Sequence, residues 1–366
     1  MNEQLENLNR LPLRDDLRGL TPYGAPQLDV PILLNVNENT HGLPEHVRRA
    51  ILAEIESVVA GLNRYPDREF TLLRENLAKY LGHGLAAENI WAGNGSNEVL
   101  QQILQAFGGP GRTAMSFPPT YSMYPLLASG TGTAYVTGSR ERDFSLTPES
   151  AAEQIRAQAP NIVILCTPNN PTGTALELDV IEAAYEAGEA SNAIVVVDEA
   201  YAEFSHADTP SALQLLPGRE RLIISRTMSK AFALAGARIG YLAAAPQIAD
   251  ALRLVRLPYH LSAITQATAN AALTHADALL SNVEDIKGQR DRIVKELRAL
   301  GLEPAPSDAN FVLFSGMENP RAVWEGLLEA GVLVRDIGIE GHLRVTAGTE
   351  AETTAFLTRL RELLAA

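Results

Sequence analysis

Residues 223–243 read IISRTMSKAFALAGARIGYLA. An apolar, strand-like run stops at a Thr-Met-Ser turn, Lys230 follows at once, and Arg238 comes a little further on. Taken alone, a Ser-Lys pair at the start of a helix is a solvated surface cation. The alternative is an amine that burial and cationic neighbours keep uncharged, so that it can attack a carbonyl. The surroundings decide. Strand-length apolar segments alternate with segments of helical period from about residue 90 to about 245: NIWAG, SNEVLQQILQAFGG, TAMSF, YSMYPLLASG and TAYVTG, then NIVILC, AIVVVDEAY and RLIISRT. Helical patterns near 148–158 and 177–190 separate the last three. Such alternation predicts βαβ units, an α/β fold and a mostly parallel sheet covered on both faces. Ligands of these sheets lie at the carboxyl ends of the strands.

Before this region, LPEHVRRAILAEIESVVAGL predicts a helix with Val47, Ile51, Ile55, Val58 and Val59 on one apolar stripe. FTLLRENLAKYLG predicts another, closed by Gly82. Beyond about residue 262 a long helical pattern, ADALLSNVEDIKGQRDRIVKELRALG, leads into strand-like NFVLF, GVLVRD and LRVTA, with helices near 320–330 and 350–364. This predicts a smaller α+β domain. The expected division is an N-terminal arm with part of the small domain (1–38), a large domain (39–276) and a small C-terminal domain (277–366). LTPYGAPQLDVP reads as an extended arm, because each proline disfavours helix in the residue before it.

Composition narrows the function. The 366 residues carry a net charge of −14 with both signs interspersed, which argues against a nucleic-acid or anionic-membrane surface. Any anionic ligand must therefore be held by a local cluster of donors. The only cysteine, Cys166, ends the apolar run NIVILC and reads as buried filler. One cysteine fits a reducing compartment, and neither a signal-peptide core nor a run of about twenty apolar residues is seen, so a cytoplasmic protein is expected. His46, His83 and His206 have no metal spacing, and no metal is expected.

Four features fall where strands end. NIWAGNGSNEVL runs strand, Gly-Asn-Gly-Ser-Asn, helix; it reads either as an ordinary capped turn or as a phosphate cradle of free N–H groups. CTPNNPTG puts Asn170 after a strand, in what could be a plain Asn-Pro turn. AIVVVDEAY ends a fully apolar strand in Asp198, with Tyr201 three residues later; a buried carboxylate there needs a partner. Lys230, with Ser229 and Arg238, is the fourth. A lysine for a carbonyl, a carboxylate for a ring nitrogen, an Asn and a Tyr for a phenolate oxygen and an amide cradle for a phosphate ester are together the demands of pyridoxal 5′-phosphate.

TMSKAFALAGARIGY resembles the lysine signature of class-II aminotransferases of pyridoxal-phosphate fold type I. LRGLTPYGAP, LNVNENTHGLP, NRYPD, FPPTYSMY, TPNNPTG, VVVDEAY and LRVTAGT stand in the order seen in the histidinol-phosphate aminotransferase subfamily, over nearly the whole chain. The resemblance implies a large cofactor-binding domain with a seven-stranded-type sheet between helices. It also implies that Lys230 binds the cofactor aldehyde and moves the substrate Cα proton, and that Asp198 holds the pyridine nitrogen protonated. Asn170 and Tyr201 would bond the ring oxygen, and Tyr121 would stack on the ring. The N–H groups of Ser96 and Asn97, with Ser229 and Arg238, would hold the phosphate. Tyr65 would reach the cofactor phosphate of a neighbouring subunit, which implies a homodimer.

For substrate, the resemblance implies transamination between L-histidinol phosphate and 2-oxoglutarate. Arg344 would bind the α-carboxylate of the dicarboxylate in the glutamate half-reaction, and Arg344 and Arg335 are the candidates for accepting either a carboxylate or a phosphate, a task suited to a planar guanidinium. Tyr23 and Tyr259 would line the phosphate and imidazole end, and Asn37 would sit beside the amine. His260 stands where the subfamily more usually has Asn, and Thr40-His41 where it often has Pro-Tyr; both departures are expected near the substrate end. Three other readings remain at this stage: an aromatic amino-acid aminotransferase, a pyridoxal-phosphate lyase or decarboxylase, and a non-enzymatic aminotransferase-like sensor domain.

Overall fold

The computed structural model describes residues 10–19, 24 and 27–365. The chain runs β1 (Ile32–Leu33), α1 (Glu45–Val59), α2 (Thr71–Leu81), β2 (Ile90–Gly93), α3 (Ser96–Phe107), β3 (Thr113–Ser116), α4 (Met123–Gly130) and β4 (Ala134–Thr137). It continues with α5 (Pro148–Gln158), β5 (Ile162–Cys166), α6 (Leu178–Ala187), β6 (Ile194–Asp198), β7 (Leu222–Thr227), β8 (Gly240–Ala244), α7 (Pro246–Val255) and α8 (Ala263–Thr274). Last come α9 (Ala276–Ala299), β9 (Glu303–Pro304), β10 (Phe311–Ser315), α10 (Pro320–Glu329), β11 (Val332–Leu333), β12 (Leu343–Thr346) and α11 (Glu350–Ala365).

Among the described residues the centre is a seven-stranded sheet in the order β2-β8-β7-β6-β5-β3-β4. Only β8 runs against its neighbours, pairing antiparallel with both β2 and β7. The expected mostly parallel sheet is borne out. Strands β5 to β8 are buried from end to end. With both faces covered, alternation of side chains cannot set their register. Their polar ends can. Sliding β6 by one residue would draw Asp198 into an apolar layer without a partner, which costs several kcal/mol by order of magnitude.

A second, three-stranded antiparallel sheet, β12-β10-β9, packs with the long helix α9 and with α11. The segment GVLVRD is strand only at Val332 and Leu333, where it pairs in parallel with β1 near the start of the chain. Arg335 then makes an isolated antiparallel bridge to Arg344.

The stripe expected on α1 is only half right. Val47 and Ile51 are buried against α8, Ile55 and Val58 are half-buried, and Val59 is 50% exposed. Leu52 and Leu62 are exposed beside it. The second half of α1 is thus covered less completely than the first: Ile55 still packs against the core, whereas Val59 stays exposed. Part of the expected arm, including Tyr23, lies outside the described residues.

Candidate active site

The carboxyl ends of β5, β6 and β7, the amino end of α3 and the 344 strand converge on one cavity of about 360 Å³. Its wall includes Asn37, Ser96, Asn97, Tyr121, Asn170, Asp198, Tyr201, Ser229, Lys230, Arg238, Arg335 and Arg344. These residues come from positions 37 to 344, and only the tertiary fold brings them together.

Lys230 follows the turn after β7. Its Nζ donates to the Val36 carbonyl oxygen at 3.1 Å and lies 5.9 Å from the centre of the Tyr201 ring. Burial first, then the guanidinium groups of Arg344 and Arg238, pull its pKa down to about 8, while Glu38 acts the other way. At pH 7 about a tenth of such an amine is uncharged, against far less than a hundredth of an ordinary lysine, so the nucleophilic form is within easy reach.

Asp198 ends β6. Tyr124 donates its hydroxyl to Oδ2 at 2.8 Å, whereas Oδ1 is buried with no hydrogen-bond partner among the described residues. Burial pushes the carboxyl up to about 6, against the Tyr124 hydroxyl and the Ala200 amide, which favour the charged form. A buried acceptor left open toward a cavity fits a ligand N–H.

Tyr201 is held by two amides: Asn37 Nδ2 donates to its oxygen at 3.0 Å and Asn170 Nδ2 at 3.4 Å. Both contacts use lone pairs, so the phenol keeps its own proton for an acceptor in the cavity. Burial pushes its pKa up. Arg344 donates to Asn170 Oδ1 at 2.5 Å and to the Asn35 carbonyl at 2.9 Å, with its guanidinium 5.0 Å from the Phe311 ring centre. Arg335 and Arg344 exchange backbone N–H···O bonds of 2.9 Å in both directions, which sets the two guanidinium stems side by side. Arg335 Nη1 is buried without a hydrogen-bond partner among the described residues.

At the amino end of α3, Gly95 adopts φ +86°, and a Cβ there would lie 2.3 Å from Arg238 Nη2. A Cβ on Gly240 would lie 2.1 Å from the Ser96 nitrogen. Both glycines are therefore needed for the helix start to sit directly on β8 and on the Arg238 guanidinium. Free amides, a helix amino terminus and a guanidinium in one corner make a phosphate site. The Ser229 hydroxyl, 3.0 Å from Thr227 Oγ1, faces the same cavity. Tyr121 donates to Asn97 Oδ1 at 3.3 Å.

Three expected site residues are not in this wall. Tyr23 lies outside the described residues. Tyr65 and Tyr259 stack on each other at 4.3 Å between ring centroids, with Tyr65 79% exposed. His260 is also elsewhere: its ring stacks on Trp91 at 5.7 Å, packs edge-on to Phe70 and has Nε2 2.9 Å from the Ala92 carbonyl oxygen. It belongs to the packing behind β2 and does not line the cavity. Thr40 and His41 likewise do not line the cavity. Cys166 is buried as expected, with its thiol pushed up to about 12 by burial, yet it also touches the cavity. Sequence reasoning missed Tyr124; the signal was the second tyrosine of YSMY, one helical turn after Tyr121.

The chain belongs to the family of class I and II aminotransferases, whose family model matches residues 29–360. It is 72% identical over 364 residues to the histidinol-phosphate aminotransferase of Paenarthrobacter aurescens, covering 100% of this chain and 98% of that protein. It is 58% identical over 364 residues to the enzyme of the same name from Frankia casuarinae, covering 97% and 90%. Among solved structures, the histidinol-phosphate aminotransferase of Sinorhizobium meliloti in complex with pyridoxal-5′-phosphate superposes with a TM-score of 0.86. The identity is 26%, over 97% of this chain and 98% of that one.

Proposed function

We propose that this aminotransferase uses pyridoxal 5′-phosphate to move the amino group of L-histidinol phosphate to 2-oxoglutarate, giving imidazole acetol phosphate and glutamate, a step of histidine biosynthesis. When bound, the cofactor supplies an aldehyde and a ring that accepts the electron pair released at the substrate Cα. The residues described above fit it. Asp198 Oδ1 is an open acceptor for a ring N–H, and the Gly95–Ser96 corner with Arg238 is an open cradle for its phosphate.

In this reading Lys230 Nζ, the one primary amine in the described wall, binds the aldehyde and then carries the proton taken from Cα. Asp198 holds the ring-nitrogen proton. Tyr201 and Asn170 orient the ring oxygen, Tyr121 covers the ring, and the Ser96 and Asn97 amides, the Ser229 hydroxyl and Arg238 hold the phosphate. Asn37 sits beside the amine. The same reading divides the chain into arm with part of the small domain (1–38), large domain (39–276) and small domain (277–366), and places the protein in the cytoplasm. Among the described residues no helix is long and apolar enough to cross a membrane.

The observation that carries the substrate assignment is the Arg335–Arg344 bridge, which aims two guanidinium groups into the cavity that contains Lys230. Histidinol phosphate offers a phosphate and glutamate a second carboxylate, and planar guanidinium donors accept either. The chain's charge of −14 makes that local cluster the attraction for an anion.

We further propose a homodimer. Tyr65 stacks on Tyr259, and Leu52, Val59 and Leu62 on one side of the chain order and Leu254 and Leu257 on the other are also exposed, apolar side chains suited to cover by a second copy. Tyr65 and Tyr259 would then serve the partner's cavity rather than their own.

The test is a comparison of kcat/KM for histidinol phosphate, unphosphorylated histidinol and phenylalanine. The phosphate ester should be preferred by roughly a hundredfold or more. Similar values for all three would point to an aromatic amino-acid aminotransferase instead.

A further inference from the structure

Tyr124 has no role in the chemistry assigned above, yet its ring is completely buried and its hydroxyl donates to Asp198 Oδ2, with the Cys166 thiol beside it. It projects from α4 onto the end of β6. The other groups around Asp198 bring it no positive charge. Cys166, its register partner on β5, carries a neutral thiol. Glu199, the next residue, turns away to Arg226, Ser211 and the Ala212 amide. Arg140, beyond Cys166, is taken up by the carbonyls of Phe117 and Phe144. The carboxylate therefore has a neutral phenol as its side-chain donor and no cation beside it among the described residues.

We propose that Tyr124 is a positioning residue: its hydroxyl pins Oδ2 of Asp198, so that Oδ1 alone faces the cavity and accepts the hydrogen bond of the cofactor's protonated ring nitrogen. The inference rests on the assignment of Asp198 to that nitrogen. Torsion about the last bond of an aspartate is broad, and a single buried donor is enough to choose one orientation. The same hydrogen bond favours the ionised carboxylate, which burial disfavours, and only the ionised form can hold the ring nitrogen protonated. A phenylalanine would fill the same space and do neither.

The experiment uses the holoenzyme carrying cofactor labelled with 15N in the ring, in wild type, Tyr124→Phe, Asp198→Asn and the double variant. Three quantities are read: the ring-nitrogen chemical shift, the rate of cofactor loss, and kcat and KM against pH. In Tyr124→Phe the nitrogen signal should move toward that of an unprotonated pyridine, and cofactor loss should quicken about tenfold. kcat should fall about ten- to a hundredfold with KM nearly constant. The acid limb of kcat should move to higher pH, because losing a donor to the charged form raises a carboxyl pKa. On the Asp198→Asn background the same change should add less than about threefold. Equal effects on both backgrounds, or an unmoved nitrogen signal, overturn the proposal. If Asp198→Asn itself leaves the signal unmoved, the ring-nitrogen assignment falls and the proposal with it; if Asp198→Asn moves it and Tyr124→Phe does not, only the role of Tyr124 falls. Should Tyr124→Phe not fold, Tyr124→3-fluorotyrosine, a stronger donor of nearly the same shape, should move the acid limb to lower pH, and an unmoved limb overturns the proposal.

Discussion

Lys230 and Tyr259 stand in the same part of the chain, yet the fold treats them in opposite ways. Lys230 follows a strand buried on both faces, and its amine is held inside a cavity by the Val36 carbonyl. Tyr259 follows the end of α7 and lies on the surface, stacked only on Tyr65. Strand ends are located by hydrogen-bonded neighbours along their whole length, so the side chains just beyond them are placed closely. The Tyr65–Tyr259 surface has no such frame. The cavity wall draws on residues at or just beyond strand ends, whereas Tyr65 and Tyr259 lie outside that wall.

The contrast is sharpest at Lys230. Covalent capture of pyridoxal 5′-phosphate by the cofactor-free protein, followed by absorbance, should quicken as pH rises toward about 8 and level off above it, because only the uncharged amine reacts. Burial and two guanidinium groups disfavour the ammonium form, so this window lies below that of an ordinary lysine. Lys230→Ala should abolish capture and lower kcat by about 10⁴-fold; turnover at the wild-type rate would remove the lysine from the mechanism.

A middle-sized effect is expected on the surface. Leu257 is 76% exposed, so Leu257→Glu should change the fold's stability by less than about 0.5 kcal/mol. In sedimentation, wild type should run at twice the chain mass and the variant should weaken association by about tenfold or more. A wild-type monomer would remove the homodimer and leave Tyr65 and Tyr259 without a task.

The smallest effect concerns substrate choice at His260. His260→Asn loses the stack on Trp91 and the contact to the Ala92 carbonyl, so thermal unfolding should show a loss of about 1–2 kcal/mol. The ratio of kcat/KM for histidinol phosphate to phenylalanine should stay within about threefold of wild type. A larger change would return His260 to the substrate end.

The alternation of strands and helices was legible because short, wholly apolar runs and stripes with a period near 3.6 are local properties of a sequence. Asp198 was legible for a related reason: a carboxylate that ends a five-residue apolar strand has to face something. Tyr124 was not. A tyrosine on the inner side of a short helix looks like core, and only the distance from its hydroxyl to Asp198 distinguishes it. The position of His260 was hidden by its neighbour. Tyr259 takes φ +61°, in the left-handed region, and this turn sends its own ring outward and the histidine in against Trp91. No spacing rule carries that reversal.

By itself, then, the amino-acid order determined the succession of elements and the residue types waiting at each strand end, since both follow from short-range sterics and burial. Only the tertiary structure decided which of those residues share one cavity, which oxygen of Asp198 stays open, and which tyrosines lie outside. Those outcomes depend on sheet order and on the direction of single side chains, which are set by contacts between segments far apart in the chain.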